Sequence, residues 1–166
     1  MPDIQKNADG CWIELADEAA TAALAARIGP QLLPGDVLTL TGGLGAGKTA
    51  FARALITALQ APLGLAEEVP SPTFSLVQQY QIGPVSLWHF DLYRLSGPQE
   101  CHELGLEEAF ASGISLIEWP DRLGALLPKD RLELHLEIPA DADIADTRRC
   151  ARLTARGKWI KRMQHD

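Results

Sequence analysis

The sequence predicts an α/β sandwich, with helices packed on a mixed, mainly parallel sheet that carries one antiparallel hairpin. Three observations lead there. A strand-like run at 36–41, a glycine-rich octet at 42–49 and strong helix formers at 50–59 follow one another as strand, loop and helix. Gly83-Pro84 separates two further strand-like runs, 74–82 and 85–95, and so marks an antiparallel turn. Residues 131–138 alternate cleanly between apolar and polar, and 148–154 can pair with them.

Taken in order, residues 10–15 can form a first strand. Asp17 then caps a helix running to Ile28, with Ala19, Ala20, Ala23, Leu24 and Ile28 on its apolar face. Gly29-Pro30 and Pro34-Gly35 punctuate the approach to the strand at 36–41. Residues 60–70 read as a connector into Ser71-Pro72-Thr73-Phe74 and the hairpin. Gly97-Pro98 ends the hairpin, helix broken at Gly105 follows over 99–111, and 115–118 is a short buried strand ending in a carboxylate. One domain is expected over 1–157, with 158–166 as a short basic tail.

The octet Gly42-Gly43-Leu44-Gly45-Ala46-Gly47-Lys48-Thr49 matches G-x-x-x-x-G-K-[ST], so the sandwich is expected to be of the P-loop NTPase type. Small residues let the backbone curl around a phosphate with its N–H groups pointing inward, and the following helix N-terminus adds positive potential. Lys48 can then reach the β- and γ-phosphates, and the Thr49 hydroxyl can ligate Mg²⁺. The motif implies a nucleoside triphosphate with Mg²⁺. A glycine-rich turn that merely carries Lys-Thr is the alternative, disfavoured by correct flanks on both sides.

Composition narrows the class further. A chain of 166 residues with 46% hydrophobic and 22% charged content suits one folded core rather than disorder. No apolar stretch approaches the ~20 residues of a membrane span, and the first residues lack a signal-peptide pattern, so no membrane partner and a cytoplasmic location are expected. Cys11, Cys101 and Cys150 are widely spaced without a C-x-x-C pair, and His89, His102, His135 and His165 lack metal-ligand spacing. Reduced thiols and no transition-metal site follow. A net charge of −7 argues against direct, tight RNA binding. The basic residues Arg148, Arg149, Arg152, Arg156, Lys158, Lys161 and Arg162 read as a solvated edge strand and tail.

Hydrolysis needs more than a phosphate cradle: a carboxylate near the metal and a group that places water. Glu118 closes the apolar run 114–117 as a Walker-B acid does; the alternative is a surface Glu before the Trp119-Pro120 turn. In His89-Phe90-Asp91-Leu92-Tyr93-Arg94, strand alternation puts His89, Asp91 and Tyr93 on one face. Asp91 is a candidate for contact with Mg²⁺ or the attacking water, or else for a salt bridge to an arginine. Thr73 is a candidate switch residue over the γ-phosphate, or simply a strand start. No Asn-Lys-x-Asp guanine signature is present, and Leu95-Ser96-Gly97-Pro98-Gln99 only echoes a transporter signature in a chain too short for one.

The ordered set of the octet, Ser71-Pro72-Thr73-Phe74-Ser75-Leu76-Val77, His89-Phe90-Asp91-Leu92-Tyr93-Arg94-Leu95, Glu100 with Leu104-Gly105, and Ile117-Glu118-Trp119-Pro120 resembles the TsaE (YjeE) family. The resemblance covers roughly residues 35–120. It implies the ATPase component of bacterial synthesis of threonylcarbamoyladenosine (t6A) at position 37 of tRNA, working with TsaD-like and TsaB-like partners, with tRNA met only through that complex. Carried over residue by residue, residues 42–49 cradle the phosphates, Thr49 and Glu118 flank Mg²⁺, Thr73 is a switch element and Asp91 assists hydrolysis. Trp119 packs beside the site, while Glu18 and Arg148 line the nucleotide. Two positions depart from the family pattern: Gly43 replaces a common acidic or polar residue, and Ala50 a frequent second hydroxyl.

Two other classes fit the same loop. A small-molecule P-loop kinase would use both carboxylates equally well, although no arginine-rich lid is evident. A non-hydrolysing, nucleotide-gated scaffold would bind ATP and partners without forming ADP.

Overall fold

The computed structural model describes residues 4–7, 10–65 and 67–164, with side chains described from Trp12 onward. His165 and the Cys11 side chain lie outside the described residues. The chain forms β1 (Ile4–Asn7), β2 (Gly10–Leu15), α1 (Glu18–Ile28), β3 (Val37–Thr41), α2 (Lys48–Gln60), β4 (Val77–Ile82) and β5 (Val85–Asp91). It continues with α3 (Leu106–Ser112), β6 (Ile114–Glu118), β7 (Arg131–Glu137), β8 (Arg149–Arg156) and α4 (Trp159–Met163).

All eight strands join one sheet in the order β1-β2-β8-β7-β3-β6-β5-β4. The ladders β7/β3, β3/β6 and β6/β5 are parallel, and those towards both edges are antiparallel. The sheet is mixed as expected, with its parallel character concentrated at the centre. The central strands β3 and β6 are buried along almost their whole length, whereas β7 alternates between buried and partly exposed positions because only one of its faces is covered.

One face packs on α1, α2 and α4 through a core that includes Leu24, Ile28, Phe51, Leu55, Leu116 and Trp159. The other face is covered over β5 and β6 by α3 and the turns at Pro120–Leu126, around Trp88, Phe90, Ile117 and Leu123. Its remaining part, over β7 and β8, is polar, with Arg131, Glu133, His135, Arg152 and Thr154 lining a shallow cleft.

Asp17 caps α1 as expected, its Oδ1 accepting the Ala20 N–H at 2.8 Å. The buried stripe differs: Thr21, Leu24, Ala25 and Ile28 face inward, whereas Ala19 and Ala23 are exposed. In so alanine-rich a helix the alanines do not discriminate between faces, and the large residues Leu24 and Ile28 set the phase. The hairpin strands are also shorter than their apolar runs. Leu76, at φ 67, bonds back to the Pro72 carbonyl and delays β4 until Val77, while Leu92 donates to the Glu118 carbonyl as the chain leaves β5.

The expected basic tail is instead a packed element. Trp159 is 2% exposed in the main core, and Arg162 pairs with Asp36 at 2.8 Å while its guanidinium lies over the Trp159 ring. An indole among basic residues anchors the whole short helix, which the charge count concealed. Trp159→Ala is therefore expected to cost about 3–5 kcal/mol of stability, measurable as a lowered urea midpoint. An unchanged midpoint would return residues 158–164 to the status of a tail.

Candidate functional site

The loop leaves the carboxyl end of β3 at the centre of the sheet, between the ends of β6 and β7, where open α/β sheets bind ligands. Its curl depends on glycine at two points. Gly42 has φ +137 and a Cβ there would collide with the Leu136 carbonyl; Gly47, at φ +102, leads directly into α2. A Cβ at Gly43 would meet nothing within 4 Å, so that departure from the family pattern is not imposed by packing. Lys48 is 5% exposed, and its ammonium donates to the carbonyls of Gly42 at 2.8 Å and Gly43 at 2.7 Å. Desolvation pulls its pKa below the ordinary lysine value, against the opposing pull of Glu118 and Asp91.

Register brings the two candidate carboxylates together. Asp91 and Glu118 are directly paired across β5 and β6, and Glu118 also faces Leu40 of β3. Glu118 is 2% exposed; its Oε1 accepts the Thr49 hydroxyl at 2.7 Å, and its Oε2 lies 2.8 Å from His89 Nε2. Asp91 accepts the Thr73 hydroxyl at 3.1 Å and the Tyr93 N–H at 3.1 Å. Its partners are thus a hydroxyl and a backbone donor, not the salt-bridging arginine considered as an alternative.

Trp119, directly after Glu118, sits in the left-handed region at φ 57, a backbone state costing about 1–3 kcal/mol for a non-glycine residue. The turn lays its ring 4.4 Å from the Lys48 ammonium and 4.9 Å from the Tyr93 ring. The strain therefore coincides with a cation–π contact at the phosphate lysine.

One cleft of about 440 Å³ is lined by Lys48, Thr49, Thr73, Asp91, Glu118 and Trp119 together. A second, of about 630 Å³, continues from it between α1 and α2 and shares Gly47, Ala50 and Arg149. Glu18 lines this second cleft beside mostly small residues. Backbone donors, one ammonium and two hard-oxygen carboxylates suit a polyphosphate in the first cleft, while the second offers an apolar slot for the rest of a nucleotide. Thr49 and Glu118 are the oxygens that could hold a divalent cation. No cluster of three His, Cys, Asp or Glu side chains that could hold a metal ion occurs among the described residues.

Arg148 does not line the nucleotide cleft. Its guanidinium is held by Asp146 at 2.6 Å and Asp141 at 3.4 Å, and its hydrogen bonds lower the Asp146 pKa. Arg149, the first residue of β8, reaches the loop instead, donating to the Gly45 carbonyl at 3.2 Å. The doublet offers two identical side chains, and only strand phase decides which points at the loop. His89 was also missed as a site residue, although its position two before Asp91 on a strand already put both on one face.

The basic concentration of 148–162 is dispersed: Arg148 on its aspartates, Arg149 on the loop, Arg156 on Glu133 and Arg162 on Asp36. It forms no continuous cationic stripe, but the expected solvated edge strand is not an edge: β8 is paired with β2 on one side and β7 on the other. Cys101 and Cys150 are free thiols. No helix among the described residues is long and apolar enough to cross a membrane.

Comparison with known proteins identifies the family. Residues 15–149 match the family model "Threonylcarbamoyl adenosine biosynthesis protein TsaE". The chain is 40% identical over 124 residues to the tRNA threonylcarbamoyladenosine biosynthesis protein TsaE of Rickettsia felis, covering 75% of this chain and 71% of that one. It is 38% identical over 122 residues to the Bacillus subtilis protein of the same name, covering 73% of each. The crystal structure of Bacillus subtilis YdiB superposes with a TM-score of 0.73 at 30% identity, covering 93% of this chain and 91% of that one. With the loop, the segment at 71–77 and the paired strand-end carboxylates all inside the matched span, the chain belongs to the TsaE family of tRNA threonylcarbamoyladenosine biosynthesis proteins.

Proposed function

We propose that this chain is a Mg²⁺-dependent ATPase that supports t6A formation by a TsaD–TsaB complex. One observation carries the reading: two hydrogen-bonded pairs, Thr49–Glu118 and Thr73–Asp91, face Lys48 in a single cleft. Lys48 and the loop N–H groups hold the triphosphate, with Glu18 and Arg149 beside the nucleoside. Thr49 and Glu118 hold Mg²⁺, which when bound neutralises charge on the phosphates. Asp91, oriented by Thr73 and the Tyr93 N–H, orients the attacking water. Trp119 shields one side of the ammonium from solvent.

Dependence on a partner is supported by the rim of the cleft, where Leu44 is 67%, Phe74 84% and Tyr93 40% exposed. Large apolar side chains beside a catalytic cleft suit a protein surface that closes over it. A metabolite kinase would need further cations to clamp a second substrate, and beyond Lys48 and Arg149, already given to the nucleotide, the cleft offers Thr73, Asp91 and Tyr93.

The test is phosphate release by the purified chain alone and with TsaB and TsaD, alongside t6A formation on tRNA. The expected result is slow release alone, faster release in the complex, and modification that requires ATP. Absence of ATP-dependent modification in the complete mixture would sink the biological reading. Nucleotide binding and assembly without ADP would establish the scaffold alternative.

A further inference from the structure

The mechanism leaves unused a buried polar side chain that touches the site. His89 is 1% exposed, and its Nε2 lies 2.8 Å from Glu118 Oε2. An ionised carboxylate only accepts, so the bond requires the proton on Nε2. Nδ1 is buried with no hydrogen-bond partner among the described residues. The imidazole thus belongs to no wider network, and its single bond goes to the carboxylate that faces Thr49.

We infer that His89 is a positioning residue that aims Glu118 at the cation beside Thr49, an inference that rests on the ATPase reading above. Each oxygen of Glu118 is held from a different element: Oε1 by Thr49 at the start of α2, Oε2 by His89 on β5. His89 and Leu116 are register partners, as are Asp91 and Glu118, so the imidazole reaches diagonally across a rigid parallel ladder. With the bond in place, Oε2 is occupied and Oε1 points at the Thr49 hydroxyl. Without it, the carboxylate is free to swing towards the ammonium of Lys48, which lines the same cleft. That swing would remove a cation ligand and a phosphate ligand together. His89 therefore keeps the acid and the lysine of the site apart.

The experiment follows binding of a fluorescent, non-hydrolysable ATP analogue to the full chain as Mg²⁺ is titrated, with steady-state turnover alongside. His89→Leu is expected to raise the Mg²⁺ concentration at half-maximal response by about 10- to 100-fold, the usual effect of losing the partner behind a metal ligand. His89→Gln, whose side-chain amide can occupy the place of Nε2, should restore most of the loss. His89→Asn is too short to reach Glu118 and should not. In a Glu118→Ala background, His89→Leu should add nothing further, which a purely structural role would not reproduce. Circular dichroism checks each fold, and the Gln–Asn contrast carries the test if the Leu variant does not fold. A wild-type Mg²⁺ requirement in His89→Leu, equal behaviour of Gln and Asn, or an additive loss in the Glu118→Ala background would overturn the inference. A parent chain that binds the analogue without any Mg²⁺ dependence would instead overturn the ATPase reading, and the inference with it.

Discussion

Lys48→Ala is expected to lose nucleotide affinity while the fold stands. The ammonium lies at the base of the loop, and 5% exposure means that little water competes with a phosphate for it. Truncating one member of a desolvated, charge-assisted contact costs about 2–5 kcal/mol, a loss of roughly 30-fold or more in affinity. The direct contacts left behind are the carbonyls of Gly42 and Gly43 and the face of Trp119, while the buried Glu118 and Asp91 lose the positive charge that faces them. Calorimetric titration with a non-hydrolysable ATP analogue measures the effect, and a thermal melt shows that the loop has not unfolded. Unchanged affinity would remove Lys48 from the phosphate site.

Glu118→Ala and Asp91→Ala are expected to act on the other side of the reaction, lowering turnover by about 100- to 1,000-fold with a much smaller change in affinity at saturating Mg²⁺. Both carboxylates are anions beside a polyanionic ligand, so their contribution to ground-state binding is small. Their value lies in how charge and water are arranged at the transition state. Asp91→Asn isolates the charge, because the amide oxygen can still accept from Thr73 or the Tyr93 N–H. Glu118→Ala also strands the His89 Nε2–H and the Thr49 hydroxyl, so its thermal melt is expected to fall, unlike that of Asp91→Asn. The comparison is decided by measuring kcat and analogue affinity in parallel for all three positions. Equal affinity losses at Lys48, Asp91 and Glu118 would contradict the division of roles.

Much of the site was legible because its parts are local. The octet encodes its own curl through glycine, and β5 announces Asp91 by alternation, just as the apolar run of β6 announces Glu118. The hairpin was marked by Gly83-Pro84, and the pairing of β7 with β8 by the clean alternation of 131–137. Where several residues of one type compete, linear pattern stops discriminating. That is why the alanines of α1 were placed on the wrong face, Arg148 was taken for Arg149, and the basic run after 157 concealed the buried Trp159.

By itself, the sequence determined the order of strand, loop and helix, the glycine-rich curl of residues 42–49, and the identity of the acids and hydroxyls available to it. These follow from spacing along the chain, over which glycine conformation, strand alternation and helix propensity act. Tertiary structure alone decided which of those groups meet. Asp91 faces Glu118 because β5 and β6 pair in one register, Arg149 meets Gly45 because β8 begins in one phase, and His89 stands behind Glu118 because two strands lie side by side. Contacts between residues 27 to 104 positions apart carry no periodic signature, since they depend on sheet order and register that only the assembled core selects.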